Sequence, residues 1–371
     1  MTPWKAAQPG DSLAAIDTPS LVLDLDAFER NLQKMASALQ GHDVRLRPHA
    51  KCHKTPEIAK RQMALGAVGI CCQKVSEAAV FVAAGVKDVL VTNQVVGASK
   101  LARLAALART ARIGVLVDHP SQVAPLSDAA SAHRVTLDVY VEVDVGAHRC
   151  GAAPGAESAR LASLVAASPS LRFAGLHCYH GTAQHQRTPA ERAASIANTV
   201  DLARLTRQEI EACGLRVECI TGAGTGTFPL ERDSGVFTEL QPGSYIFMDR
   251  DYGDNQRGEG DVAFEHSLFV KTQVLSRSGA DFAVVDSGLK ASSVDSGMPT
   301  VWKRPDLRYA KASDEHGVVM TPNADALALG DMLWLVPGHC DPTVNLYDEL
   351  VCVRGDRVEA LWPIAARGAL L

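Results

Sequence analysis

Short hydrophobic runs alternate with longer alanine- and leucine-rich runs from residue 44 to about residue 245. Apolar residues recur with helical spacing in the longer runs, whereas the short runs are rich in β-branched residues, as buried strands are. The predicted strands are VRLRPH (44–49), VGICC (68–72), VLVTN (89–93), IGVLVD (113–118), DVYVEV (138–143), FAGLHCY (173–179), VECITG (217–222) and TELQPGS (238–244). Helices are predicted from Thr55-Pro56-Glu57 onward and over residues 99–111, 120–133, 157–167 and 190–213.

Eight strands joined mostly by helical crossovers predict an α/β protein with a parallel, TIM-like (β/α)8 barrel. An open doubly wound sheet is the alternative. Before the barrel, LVLDL (21–25) predicts a further strand, and Asp26 and Glu29 have the spacing of a capping box for the helix that follows. After Asn255 the chain changes to strands with turn signals and little helix, namely residues 267–278, 281–288, 330–338 and 349–368. We expect a barrel over residues 26–255 and a C-terminal mainly-β domain formed by residues 256–371 together with residues 1–25.

Composition narrows the class of protein. The chain has 371 residues, of which 47% are hydrophobic and 21% charged, which is ordinary for a globular protein. A formal net charge of -5 argues against nucleic acid or a membrane surface as partner. No apolar run reaches the roughly 18 residues of a membrane span, and the first ten residues lack the features of a signal peptide. The nine cysteines are scattered without a CxxC pair, so we expect reduced thiols in a cytoplasmic protein.

Two glycine-rich turns follow the seventh and eighth predicted strands. They read TGAGTGT (221–227) and QPGSY (241–245). Active sites of such barrels lie at the carboxyl ends of the strands, and phosphate sites are frequent after the last two strands. Because glycine lets the backbone approach a ligand, and exposed amides with hydroxyls form an anion nest, these turns predict a phosphate site.

The first predicted strand carries an unusual set of basic residues in RLRPHAKCHK (45–54). Alternate residues of an extended segment share one face, which groups Arg47, His49 and Lys51. Basic groups inside a barrel need an anionic partner, and a lysine there should have a lowered pKa and act as an amine nucleophile. This suggests pyridoxal phosphate held by Lys51 as a Schiff base. The alternative is a surface cluster or ion-pair network, in which case Lys54 is an equal candidate.

Further polar residues follow the fifth and sixth strands, in EVDVGAHRCG and HCYHG, and the β domain contains GHCDPTVNLYD. In an extended chain His339 and Asp341 point the same way, and their nitrogen and oxygen atoms suit Mn²⁺, Mg²⁺ or Zn²⁺. Two ligands are too few for a structural zinc site, so an open site completed by water and substrate is the metal hypothesis.

These segments together resemble the D-threonine aldolases, which are fold-type III (alanine-racemase-like) pyridoxal-phosphate enzymes related to D-serine dehydratase and the 3-hydroxyaspartate aldolases. The resemblance runs in order through DTPSLVLDLD, RPHAK, GICCQKVSEA, VEVDVGAHRCG, YHG, TGAGTGT, ELQPGSYIFMDRDY, DEHGVV and HCDPTVNLYD. It covers nearly the whole chain. RPHAK followed about 290 residues later by HxD is its specific part.

The resemblance implies roles for individual residues. Lys51 would be the Schiff-base lysine, and His185 would lie near the substrate hydroxyl as the base, with metal-bound hydroxide as the alternative. Arg149 would contact the phenolic oxygen or ring edge of the cofactor, Gln73 would line the pocket, and the pyridine nitrogen would face Tyr179 or, alternatively, Gln241. The phosphate would be held by Thr221, Gly222, Gly224, Thr225, Gly226, Gly243, Ser244 and Tyr245. His339 and Asp341 would bind the divalent cation, with Mn²⁺ preferred.

The implied function is cleavage of a small-molecule D-β-hydroxy-α-amino acid to glycine and an aldehyde by a homodimeric lyase. A dehydratase acting on D-serine or hydroxyaspartate could use the same parts. The D-serine dehydratase branch and some hydroxyaspartate dehydratases have Cys at the HxD aspartate position, so Asp341 favours an aldolase. Three further functions stay open, namely a racemase, a metal-dependent hydrolase and a non-enzymatic pyridoxal-phosphate carrier. Such carriers lack a second domain, so the predicted β domain argues against the last of these.

Overall fold

The computed structural model describes residues 4–279, 281–323 and 325–371. The strands are β1 (Ser20–Asp24), β2 (Arg45–Leu46), β3 (Ile70–Cys72), β4 (Asp88–Gln94), β5 (Arg112–Val117), β6 (Leu137–Glu142), β7 (Leu171–Cys178), β8 (Ile220–Gly222), β9 (Glu239–Leu240), β10 (Leu268–Ser276), β11 (Phe282–Val285), β12 (Thr300–Val301), β13 (Arg308–Ala312), β14 (Gly317–Met320), β15 (Met332–Val336), β16 (Glu349–Arg354) and β17 (Arg357–Pro363). The α-helices are α1 (Leu25–Leu39), α2 (Pro56–Ala64), α3 (Val75–Ala83), α4 (Ala98–Leu107), α5 (Val123–His133), α6 (Ala156–Ala166), α7 (Pro189–Ala212), α8 (Phe228–Arg232), α9 (Arg250–Gly253) and α10 (Cys340–Val344).

Strands β2 to β9 form a parallel sheet in the order β2-β9-β8-β7-β6-β5-β4-β3, with one of the helices α2 to α8 between each pair in sequence. The two ends of this sheet meet. The N–H of Val68 donates to the carbonyl of Leu46, and the N–H of Cys71 donates to that of Pro48, both at 2.9 Å. The sheet therefore curls into a barrel, which confirms the predicted (β/α)8 class. The open doubly wound sheet is wrong.

The remaining strands form a nine-stranded sheet in the order β13-β14-β11-β10-β1-β16-β17, to which β15 adds by pairing with β10 and β12. Strand β1 lies between β10, which is antiparallel to it, and β16, which is parallel. The N-terminal strand thus joins the C-terminal β domain, as expected. The exact domain limits at residues 25/26 and 255/256 stay a prediction. The pattern missed β12, β13 and β14, of which β12 has only two residues.

Helix starts follow the local sequence, with one correction. Helix α1 is capped by Asp24, whose carboxylate accepts hydrogen bonds from the N–H groups of Asp26 and Ala27. The predicted capping box of Asp26 with Glu29 is wrong, because both carboxylates bind Arg354 instead.

Among the described residues, no helix is both long and apolar enough to cross a membrane.

Candidate active site

A cavity of about 310 Å³ lies at the carboxyl ends of the barrel strands, where residues just before and in α10 of the β domain also reach it. It brings together most of the predicted site residues. Those that line it are Lys51, Gln73, Arg149, Tyr179, His185, Gly224, Thr225, Gly243, Ser244, His339 and Asp341. Residues from both sheets therefore contribute to one site.

Four predicted residues do not line this cavity, namely Thr221, Gly222, Gly226 and Tyr245. The Thr221 hydroxyl donates to Glu239 at 3.2 Å, and the Tyr245 hydroxyl accepts from Gln62 at 3.1 Å. A Cβ on Gly222 would lie 2.3 Å from the carbonyl oxygen of Cys178, so this glycine allows close packing of β8 on β7. These contacts support the turns, and the direct ligand contact predicted for the four residues stays a prediction.

The basic face of the first strand is divided by the structure. The Arg47 guanidinium is buried and donates to Glu239 at 2.8 Å and Asp88 at 2.6 Å. Burial opposes its charge, but the two carboxylates hold the pKa of Arg47 well above its usual value. Arg47 therefore belongs to an ion-pair network inside the barrel, and the prediction that it shares the pocket face of His49 and Lys51 is wrong.

Lys51 reaches the cavity from a 3₁₀-helix, Ala50–Cys52, that begins just after Pro48. Its Nζ lies 3.6 Å from Oδ2 of Asp341. Burial lowers the pKa of Lys51, but the attraction of the Asp341 carboxylate, together with smaller contributions from other neighbours, more than offsets burial and the pKa is raised. The predicted lowering is therefore wrong, because spacing along the chain did not reveal that the Asp341 carboxylate faces Lys51. Lys54 is no longer an equal candidate, since its ammonium is buried and donates to Glu77 at 2.9 Å.

His49 lines the cavity beside Lys51, although no cofactor role was predicted for it. Burial, followed by the positive charge of Lys51, holds the pKa of His49 well below its usual value. Its Nδ1 accepts the N–H of Lys51 at 3.2 Å, which leaves the proton of the neutral ring on Nε2, 3.0 Å from the Thr92 hydroxyl. His49 is thus a neutral hydrogen-bonding wall of the cavity and not a second cation.

We call Gly224, Thr225, Gly243 and Ser244 the phosphate cradle. A Cβ on Gly243 would lie 2.6 Å from the carbonyl oxygen of His49, and one on Gly224 would lie 2.5 Å from Oε1 of Gln184, so both positions need glycine. The Thr225 hydroxyl is buried without a hydrogen-bond partner in the described parts of the chain. A buried hydroxyl left unpaired costs about 1–3 kcal/mol, so a ligand oxygen is the partner that this position suits. The cradle fits a phosphate group.

A buried polar chain supports the cradle from behind. Gln184 accepts the N–H of Gly226 at 3.0 Å and donates to the Thr227 hydroxyl at 2.8 Å. That hydroxyl donates to Glu231 at 2.8 Å. Burial raises the pKa of Glu231 to about 7, so the carboxyl group is neutral at mildly acidic pH.

The part of the cavity expected to hold the cofactor ring contains Arg149, Tyr179 and Gln241. The Arg149 guanidinium lies 5.7 Å from the centre of the Tyr179 ring. Gln241 donates to Thr221 at 2.8 Å, and its Oε1 lies 3.2 Å from Nε2 of His177. Both predicted candidates for the pyridine-nitrogen partner, Tyr179 and Gln241, therefore remain.

His339 and Asp341, which we call the metal pair, lie at the N-cap and within the first turn of α10. The prediction that they project from an extended strand is wrong, but both side chains still line the cavity. His339 Nδ1 lies 2.8 Å from Asp295. Burial lowers the pKa of His339, but the carboxylates of Asp341 and Asp295 outweigh it and raise the pKa. An imidazole and a carboxylate facing one cavity, with room for further ligands, fit an open divalent-cation site.

A second group of possible ligands is Asp118, Glu142 and Cys150, whose ligand atoms lie within 4.8 Å of one another. Internal hydrogen bonds already explain it. Gln94 donates to Glu142, and Asp118 accepts from the N–H of Gly151 at 3.1 Å and from Gln122 at 2.8 Å. We therefore keep the metal pair as the candidate site.

His185 ends a short 3₁₀-helix, Thr182–His185, after β7, and its ring lines the cavity 5.7 Å from the ring of Tyr252. Its Nδ1 donates to Asp251. Neither Tyr252 nor Asp251 was predicted as a site residue, although both lie in the quoted segment ELQPGSYIFMDRDY. The only available signal was that two acidic residues and a tyrosine follow the last barrel strand.

Comparisons with known proteins agree with this geometry. Residues 23–251 match the family model of the alanine racemase N-terminal domain, and residues 267–353 match a serine dehydratase domain. A D-threonine aldolase from Arthrobacter sp is 51% identical over 98% of this chain and 96% of its own length. The chain belongs to the D-threonine aldolase family. The crystal structure of D-threonine aldolase from Filomicrobium marinum matches with a TM-score of 0.97 at 50% identity, covering 99% of this chain and 100% of that one.

A further member of the same group is a 3-hydroxy-D-aspartate aldolase from Paracoccus denitrificans (strain Pd 1222), which is 46% identical over 98% of this chain and 95% of its own length. The predicted family and enzyme class, an aldolase-type lyase, are confirmed. Membership of the alanine-racemase-like fold also supports pyridoxal phosphate as the cofactor.

Proposed function

We propose that this protein cleaves the Cα–Cβ bond of D-β-hydroxy-α-amino acids such as D-threonine to glycine and an aldehyde, with pyridoxal phosphate and a divalent cation, preferably Mn²⁺. One observation carries the proposal. A single cavity contains the amine of Lys51, the phosphate cradle with its unpaired Thr225 hydroxyl, and the metal pair. The identity to a D-threonine aldolase supports the same reaction.

Lys51 would hold the cofactor, and the phosphate cradle would bind its anionic group. Arg149, Tyr179 and Gln73 line the same cavity and would contact its ring. Pyridoxal phosphate, when bound, supplies an electron sink for the pair released when the Cα–Cβ bond breaks.

The metal pair would bind the cation, which supplies Lewis-acid activation of the substrate's β-hydroxyl. Asp341 now faces Lys51 at 3.6 Å and is the main group that raises the pKa of Lys51. If Asp341 binds a cation, it no longer favours the charged form of Lys51 as strongly. The lysine amine would then be more readily available for the cofactor.

His185 would accept the proton of the β-hydroxyl. Its Nδ1 is held by Asp251, and its ring lines the cavity that contains Lys51 and the metal pair. A positioned base of this kind contributes about 10²–10⁴-fold to a rate.

3-Hydroxy-D-aspartate is the second candidate substrate. It is favoured by the 46% identity to the Paracoccus enzyme and by the lining of the cavity by Arg149, a cation that forms no ion pair within the residues the structure describes. A second carboxylate on the substrate would be attracted to such a guanidinium.

The proposal is tested by incubating the purified protein with D-threonine, D-phenylserine and 3-hydroxy-D-aspartate, with and without Mn²⁺. We expect glycine and an aldehyde only when Mn²⁺ is present. Ammonia and an oxoacid would identify a dehydratase, and the absence of both product pairs from all three substrates would contradict the proposal.

We also propose a homodimer, as the family resemblance implies, in the cytoplasm, as the scattered cysteines suggest. Sedimentation velocity at micromolar concentration tests the dimer, and the molar mass obtained should be twice the 39.4 kDa of one chain. A monomer that retains full activity would contradict it.

A further inference from the structure

The acceptor on His185 is a buried carboxylate that does not itself line the cavity. Asp251 lies in α9, and its side chain is only 7% exposed. One of its oxygens, Oδ2, accepts from Nδ1 of His185. The other, Oδ1, accepts from the guanidinium of Arg187. Arg187 also donates to the backbone carbonyl of Asp251 at 2.5 Å and to Asn255 at 2.8 Å, so the guanidinium is anchored on three acceptors.

We infer that Asp251 and Arg187 form a positioning pair that fixes the tautomer of His185. The inference deepens the proposed function, because it rests on His185 acting as the base there. A carboxylate can only accept hydrogen bonds, so Nδ1 of His185 must carry the hydrogen. In the neutral ring Nε2 is then the free acceptor, and it makes no hydrogen bond to residues 4–279, 281–323 or 325–371. It is the nitrogen left to take a proton from a ligand in the cavity.

Arg187 determines which atom of residue 251 can face His185. Arg187 is always a donor and occupies Oδ1 of Asp251, while Oδ2 faces His185. An asparagine at position 251 has a single acceptor oxygen. Because Arg187 cannot accept a hydrogen bond, it would claim that oxygen and leave the amide NH₂ facing His185. The imidazole would then have to accept at Nδ1 and carry its hydrogen on Nε2, where it cannot act as a base.

This gives a prediction that a merely structural ion pair does not make. With D-threonine as substrate, Asp251→Asn should lower kcat by about 100-fold or more, with KM within about threefold of the wild-type value. Arg187→Met alone leaves the carboxylate on His185 and should lower kcat by less than about fivefold. In the double variant the asparagine can turn its oxygen toward His185. We therefore expect the kcat of the double variant to be at least about tenfold higher than that of Asp251→Asn, although the double variant has one more substitution.

The matched control is Asp254→Asn, which makes the same chemical change three residues along. Asp254 is half-exposed and pairs with Arg250 at 3.3 Å, away from the cavity lining. Its kcat should equal that of the wild type. A single Asp251→Asn variant within about threefold of wild-type kcat, or a double variant no faster than it, would overturn the inference.

A second measurement does not depend on activity. Nitrogen-15 NMR of histidine-labelled protein at pH 8, with the His185 signals assigned from a His185→Asn variant, reports which ring nitrogen carries the hydrogen. We expect hydrogen on Nδ1 in the wild-type protein, and hydrogen on Nε2 in wild type would overturn the inference even if neither Asp251 variant folds. If the wild type releases no glycine from D-threonine, the proposed function fails, while this NMR result still decides the tautomer.

Discussion

The phosphate cradle and the metal pair serve the same cavity but are built by different means. The cradle lies on turns after β8 and β9, where glycines are packed against backbone and Gln184 so closely that a single added carbon atom would collide. The metal pair lies at the start of α10, a five-residue helix of the β domain. Its side chains are positioned by charge, because Asp341 faces Lys51 and His339 faces Asp295. Close packing thus positions the phosphate cradle, whereas electrostatic attraction positions the metal pair.

Damage to the two halves should therefore be separable. Loss of a charge in the metal pair should stop the reaction while the cofactor stays bound. Loss of space or of a hydrogen bond in the cradle should weaken cofactor binding while the cation still binds.

Asp341→Ala should have the strongest consequence. It removes a proposed cation ligand, and we expect a loss of at least about 10³-fold in glycine release, because several kcal/mol of Lewis-acid stabilisation are lost. The visible absorbance of the bound cofactor should persist. Asp348→Ala is the control, since Asp348 is exposed and, among the described residues, forms an ion pair only with Arg367 at the surface. Full activity of Asp341→Ala, or of metal-stripped wild type, would show that the metal pair has no part in the reaction.

The pH dependence of protein stability tests the role of Glu231, the buried carboxyl group behind the phosphate cradle. Because burial raises its pKa from 4.5 to about 7, the folded state binds a proton that the unfolded chain releases. The stability this adds is complete below pH 4.5 and is lost as pH rises through 7, in total about 3 kcal/mol at about 1.4 kcal/mol per pKa unit. Urea unfolding of wild type and Glu231→Gln should show wild type losing this amount relative to the variant between pH 4.5 and 8. A difference between the two proteins that does not change with pH would contradict the buried neutral carboxyl.

Gly243→Ala probes the packing of the cradle directly. Its Cβ would lie 2.6 Å from a backbone oxygen, and overpacking of this kind costs about 1–3 kcal/mol. We expect the affinity for pyridoxal phosphate to fall about 30-fold, measured by fluorescence titration of the cofactor-stripped protein. Mn²⁺ affinity of the same variant, followed by electron paramagnetic resonance, should stay unchanged. Equal losses of both affinities would mean that the two halves are not separable.

Thr225→Val should have the mildest consequence. Loss of one hydrogen bond should weaken cofactor affinity about fivefold, or about 1 kcal/mol. The cofactor-stripped variant should be no less stable than wild type, because the Thr225 hydroxyl has no partner in the described chain. Thr227→Val is the matched control, since the Thr227 hydroxyl bonds both Gln184 and Glu231 and its loss should destabilise the stripped protein. Equal destabilisation by both variants would show that Thr225 has a structural partner.

The sequence was sufficient where periodicity or backbone constraint decides the structure. Hydrophobic spacing predicted all eight barrel strands, and the glycine-rich turns predicted the cradle residues Gly224, Thr225, Gly243 and Ser244, all of which line the cavity. Thr221 and Gly226 belong to the same turn yet support it from behind, because the Thr221 hydroxyl bonds Glu239 and the Gly226 N–H bonds Gln184. Composition alone does not distinguish the two faces of such a turn.

The sequence was insufficient where a partner comes from a distant segment. Glu239 and Asp88 draw Arg47 into the barrel interior, and Asp341 raises the pKa of Lys51 from the other domain. The acid that reaches His185 is 66 residues away in the chain. Spacing rules apply within one element, so none of these pairings could be read from local pattern.

The whole mechanism depends on the amine of Lys51 holding the cofactor in this cavity. The decisive experiment is borohydride reduction of the purified protein, followed by peptide mass spectrometry. We predict a phosphopyridoxyl group on Lys51, and none on the neighbouring Lys54, whose ammonium is buried against Glu77. A reduced adduct on Lys54, or no adduct on any lysine, would refute the role of Lys51.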